Sequence, residues 1–218
     1  VAASWRHLTL KAWARAIRVV VRYPGRRGIG VACIQQGDFV QVLQRHLPQF
    51  FTGTRVVEIG SLDINGSMRP YFDAARYVGV DVGAGQGVDV VAPGQLLDHP
   101  TGSYDCAVSA NCFEHNPFWL ETFVNMLRLT REGGLVLFTC ASTGYREHGT
   151  RRSAPESSPL TLAIGWDHYR NLVERDFTRS LDLRLWCSDW RFYVDDETYC
   201  LYFVGLRGGA GGPRLPAA

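Results

Sequence analysis

The stretch "RVVEIGSLDINGSMRPYF", residues 55–72, decides the fold. Val56, Val57 and Ile59 make a short apolar run around Glu58, the run breaks at Gly60, and polar residues with a second glycine, Gly66, precede a resumed helix-like pattern. Such a run reads as a buried parallel strand, and an open parallel sheet binds its ligand at the carboxyl ends of its strands. Gly60 can turn sharply and let the backbone approach a ligand, and Gly66 permits a second close approach. The helix expected after the loop would offer free N–H groups to an anion.

Working outward, further strands are predicted at 76–82 (RYVGVDV), 87–91 (GVDVV), 104–110 (YDCAVSA) and 133–141 (GGLVLFTCA), with helices at 37–50 and within 117–130. Alternating short strands and helices imply a parallel sheet covered on both faces. Residues 182–208 add at least two strands, and YVDDETY, 193–199, reads as a tight turn between antiparallel partners. The expected fold is therefore α/β: a Rossmann-like open sheet, mostly parallel with an antiparallel C-terminal strand, in an α/β/α sandwich.

A nucleoside site needs an acid at the end of the second strand to take the ribose hydroxyls, and Asp81 stands twenty-one residues after Gly60, near the expected interval. A dinucleotide loop would read G-x-G-x-x-G, but Gly60, Leu62 and Asn65 occupy those positions, which disfavours an NAD-dependent oxidoreductase. Gly83, Gly85 and Gly87 are spaced G-x-G-x-G and read as a turn.

The Glu58-Ile59-Gly60 ending resembles the first motif of class I S-adenosylmethionine-dependent methyltransferases, in the small-molecule and ubiquinone-type branch. YDCAVSANCFEHNP, 104–117, and FVNMLRLTREGGLVLFTCAS, 123–142, are similar to that family's fourth strand with its loop and to its next helix, turn and fifth strand. The resemblance implies S-adenosylmethionine as cofactor. It places Glu58, Gly60, Ser61, Asp63 and Asn65 around the methionine part and ribose, makes Asp81 the ribose carboxylate, and adds Val82 and Asn111 to the cofactor-binding set. Relatives often carry an acid after the third strand to meet adenine. Here Ala92, Pro93 and Gly94 stand there, with Asp89 a candidate substitute.

Methyl transfer is an in-line displacement, so positioning dominates, and a base is needed only for a protonated acceptor such as a hydroxyl. The long segment 142–172 is the expected acceptor-side loop. His148 is the first choice for base, His168 the second, and His115 a further candidate; the alternative for the first two is a surface histidine paired with Glu147 or Asp167. Arg146, Arg151 and Arg152 either bind an anionic acceptor or are solvated charge. The expected reaction is methylation of an oxygen, or less readily a nitrogen, of a small-molecule or sugar acceptor. The alternative outside enzymes is a non-catalytic methyltransferase-like partner subunit.

The totals agree with one compact domain: 218 residues, 46% hydrophobic, formal net charge +2. That charge is too mild to suggest a nucleic-acid partner. The expected organisation is a basic helical segment at 1–37, a methyltransferase domain at 38–207 and a disordered tail at 208–218. The amphipathic stretch 4–23 is a candidate homodimerisation helix, and no apolar run suggests integral membrane association. Six cysteines without CxxC spacing predict neither a disulfide framework nor a zinc site, no metal is expected, and the cytoplasm is the natural compartment.

Overall fold

The structure is a computed structural model that describes residues 34–208, with the side chains of 34–36 excepted. The expected helix over 4–23, with its dimerisation role, and the tail from 209 lie outside the described residues.

The strands are β1 (Arg55–Ile59), β2 (Arg76–Asp81), β3 (Val90–Val91), β4 (Tyr104–Ala110), β5 (Thr130–Ala141), β6 (Cys187–Asp195) and β7 (Cys200–Arg207). They form one 7-stranded sheet in the order β3-β2-β1-β4-β5-β7-β6. All pairings among β1 to β5 are parallel, and β7 runs antiparallel to both of its neighbours. The single reversed strand follows from the β6–β7 hairpin, whose turn is held by Asp195 accepting the N–H of Glu197 and the Thr198 hydroxyl.

Helices cover both faces. α1 (Ile34–His46) lays Phe39, Val40 and Leu43 on one face, which joins Leu47, Val56, Val108, Leu137 and Tyr202 in one core. It carries Arg45 and His46 in its last turn, where cations suit the helix dipole, and Pro48 follows it. α2 (Trp119–Leu129), the short α3 (Pro159–Ala163) and α4 (Glu174–Ser180) complete the helices, of which α2 and α4 contribute to the opposite core. That second core is built on stacked and edge-on phenylalanines: the Phe138 ring lies 4.8 Å from Phe113, 4.8 Å from Phe177 and 5.0 Å from Phe203.

One expectation fails. No α-helix follows the loop after β1; only a 3-10 turn, Arg69–Tyr71, lies between β1 and β2. The reason is packing on both sides of Pro70. Met68 and Phe72 are drawn into the α1-side core, Phe72 stacking on Phe51 at 4.6 Å, and the backbones of Gly53 and Asp73 are hydrogen-bonded. Arg69 is turned the other way, over the Tyr77 ring and onto Asp89.

The order reverses between β1 and β4, so the connections leaving those two strands diverge and open a crevice at their carboxyl ends. Phe138→Ala should cost about 3–5 kcal/mol of stability, read as a lowered urea midpoint, because the vacated ring volume cannot collapse among five neighbouring phenylalanines.

Candidate active site

Gly60 closes β1 at φ +78, and a Cβ there would sit 2.5 Å from that of Cys112, so the loops after β1 and β4 meet at a contact only glycine permits. From this contact a cavity of about 390 Å³ opens. Its floor is Glu58, Gly60, Ser61 and Asp81; Asn65 and Asn111 flank it; His115, Arg146, His148 and Leu160 line the far end.

Asp81 is fixed by main chain. Its two carboxylate oxygens accept the N–H of Leu62 at 3.0 Å and of Val82 at 2.7 Å, while burial raises its pKa. Each oxygen retains a lone pair for a ligand hydroxyl. Glu58 is buried and accepts from the Tyr77 hydroxyl at 2.9 Å and from Met68 N–H at 3.4 Å; desolvation outweighs these bonds and lifts its pKa to about 7. The Ser61 hydroxyl is buried with no hydrogen-bond partner. Asn111, which lines the cavity just past β4, holds a left-handed φ of 46.

Two members of the expected cofactor set are not among the cavity-lining residues. Asp63 faces its own loop, accepting Gly66 N–H at 2.8 Å and the Gln86 amide at 3.1 Å, and Val82 contributes its N–H to Asp81. Asp89 is spent on Gly79 N–H and Arg69, and it is not a lining residue either. The Gly83–Gly87 segment is a packed turn: a Cβ on Gly79 would lie 2.0 Å from the Gly87 carbonyl oxygen, and one on Gly85 would lie 2.3 Å from the Leu62 side chain.

At the far end the long segment 142–172 is ordered by its own closing residues. Arg170 N–H donates to the Glu114 carbonyl, Asn171 Nδ2 to the Tyr145 carbonyl and Leu172 N–H to the Ala141 carbonyl. Tyr169 donates its hydroxyl to the Arg146 carbonyl at 3.1 Å. His148 and His115 meet edge to face at 4.8 Å between ring centres, with Tyr169 within 5.6 Å of both. His148 bonds through Nδ1 to the Arg146 carbonyl at 3.1 Å; a carbonyl only accepts, so in the neutral ring the Nε2 lone pair is free. His115 is buried, which drives its pKa down to about 3 and keeps the ring neutral. His168 is not a lining residue; its main chain instead hydrogen-bonds His115. Glu147 pairs with Arg152 and Asp167 with Arg151, so neither carboxylate is taken by a neighbouring histidine. Cys112 lines the cavity, but burial raises its thiol pKa and keeps it protonated.

Tyr145 and Tyr169, absent from the sequence-based set, belong to this cluster, with Tyr145 5.2 Å from His148. Position beside "REHG" and inside "WDHYRNL" was the available signal for them.

No protein-family model matches the chain, and no curated protein matches it in sequence. Solved structures do match in three dimensions. Phosphoethanolamine N-methyltransferase 2 of Haemonchus contortus, in complex with S-adenosyl-L-methionine, aligns with a TM-score of 0.56 at 14% identity, over 94% of this chain and 60% of that one. The CurJ carbon methyltransferase aligns with 0.54 at 14% identity, over 79% and 53%. This is the class I methyltransferase fold. A third such fold, the 1,6-didemethyltoxoflavin-N1-methyltransferase of Burkholderia thailandensis with bound 1,6-didemethyltoxoflavin and S-adenosylhomocysteine, aligns with 0.51 at 15% identity, over 77% and 76%. The chain thus spans 53% of the length of the carbon methyltransferase and 60% of the phosphoethanolamine enzyme.

The raised Glu58 pKa has a stability consequence of definite sign. Between the ordinary value of 4.5 and about 7 the folded protein holds a proton that the unfolded chain has released, so ionisation destabilises the fold as pH rises through this window. Glu58→Gln removes that cost. Urea unfolding at pH 5 and pH 8 should show the variant gaining stability relative to wild type at the higher pH.

Proposed function

We propose that the protein is an S-adenosylmethionine-dependent methyltransferase acting on an oxygen of a small-molecule or sugar acceptor, with nitrogen the second choice. The observation that carries it is the Asp81 carboxylate, held by two main-chain N–H groups at the floor of the cavity beside the Gly60 turn.

The residues fit the cofactor. Asp81 has acceptor capacity for both ribose hydroxyls, the buried Ser61 hydroxyl lacks a partner, and Glu58 and Asp81 give the floor acids that suit a cationic nucleoside. When bound, S-adenosylmethionine supplies a methyl carbon activated by a sulfonium leaving group. Glu58, near neutrality in its pKa, ionises more readily against such a cation. The work left to the chain is orientation and exclusion of water, which the covering segment 142–172 serves, and disposal of the acceptor proton.

The choice of oxygen rests on His148: its Nδ1–H is committed to Arg146, which leaves Nε2 to take a hydroxyl proton. The matched structures are described as carbon and nitrogen methyltransferases, so they do not bear on this choice. Small acceptors suit a cavity of about 390 Å³. Placement in the cytoplasm draws support from the five free cysteines among the described residues, and no helix among those residues is long and apolar enough to cross a membrane.

Asp81→Asn keeps the shape of the side chain and removes its charge. Calorimetric titration with S-adenosylhomocysteine should show affinity reduced at least about tenfold with the melting temperature little changed, since a hydrogen bond to a charged group is worth about 1.5–3 kcal/mol. Undiminished affinity in this variant would displace the ribose from Asp81.

A further inference from the structure

We propose that Glu114, His115 and His148 form a binding site for one divalent transition-metal cation at the acceptor end of the cavity. Each offers a donor atom, and the three atoms lie within 4.8 Å of one another. The two imidazoles share a pattern that favours ligation. His115 is 4% exposed; its Nδ1 has no partner while its other nitrogen bonds to the main chain of His168. His148 commits Nδ1 to the Arg146 carbonyl and keeps Nε2. A histidine ligand characteristically donates its second N–H to a backbone carbonyl or carboxylate, which fixes the tautomer and aims the lone pair. Both rings here are prepared in that way.

The surroundings agree. Glu114 Oε1 accepts Ala141 N–H at 3.2 Å, which orients the carboxylate. Gly149, at φ +64, packs against the edge of His115, where a Cβ would stand 2.5 Å from Cε1 and 2.8 Å from Nδ1. Metal bonds of about 2.0–2.2 Å bring donors closer than 4.8 Å, so the site must tighten on its ion. His148, the least buried of the three, can supply the rotation.

Two histidines and one carboxylate leave coordination positions open. On the methyl-transfer reading, on which this role rests, an open position takes an acceptor hydroxyl oxygen and makes it more acidic. The hydroxyl proton leaves to solvent, the oxygen electron pair forms the new O–C bond, and the electrons of the broken C–S bond stay on sulfur. With the cation bound, this acidification takes the place of His148 as proton acceptor.

The test is calorimetric titration of the full chain, stripped with a chelator, with Zn²⁺ and separately with Mn²⁺, alongside S-adenosylhomocysteine. One equivalent of Zn²⁺ should bind with micromolar or tighter affinity, weakened at least 100-fold in His148→Ala, whose fold is checked by circular dichroism. Absence of binding, superstoichiometric adsorption, or unchanged affinity in His148→Ala overturns the site. The nucleoside titration separates the two readings: S-adenosylhomocysteine binding without a cation site defeats this proposal alone, and a cation site without nucleoside binding defeats methyl transfer alone.

Discussion

The grip of the Leu62 and Val82 N–H groups on the Asp81 carboxylate ties the loop after β1 to the end of β2, and the cavity depends on that tie. Main-chain bonds from Ser61 to Val80 and from Asp63 to Gln86 also hold the loop, and the Gly60 turn is set by the contact with Cys112. A carboxylate costs free energy to desolvate, and two main-chain donors offset part of that cost while leaving lone pairs for a ligand. The same residue therefore organises the loop and presents acceptors to a ligand.

Around this point the sheet divides the labour. β1 and β2 supply the acids, Glu58 and Asp81; the connection after β4 supplies Cys112 and His115; the segment after β5 supplies Tyr145, Arg146 and His148. The last of these groups would be a mobile loop if residues 169–172 did not lace it back to Glu114, Ala141, Tyr145 and Arg146 through one side-chain hydroxyl, one amide and two main-chain N–H groups. The Asp81 end and the His148 end of the cavity are thus built by different strands and meet at the crevice where the strand order reverses.

Much of this was visible in the residues. β1, β4 and β5 are buried on both faces, so their apolar runs announced themselves, and Asp81 stood out as the acid that ends the second strand twenty-one residues after Gly60. The helix after β1 was misread because nothing local reveals that Met68 and Phe72 are claimed by the α1-side core. The choice between His168 and Tyr169 depends on a single residue of register in an irregular segment, which no periodicity marks. Glu114, His115 and His148 converge only through the packing of two loops, so their spacing in the chain carries no metal signature.

The most direct test of the central claim is a crystal structure of the protein with S-adenosylhomocysteine. The ribose hydroxyls should lie within hydrogen-bond distance of Asp81, with the homocysteine part running along the Gly60 loop toward Glu58. A nucleoside bound elsewhere, or crystals that accept NAD in this crevice and refuse S-adenosylhomocysteine, would contradict the account.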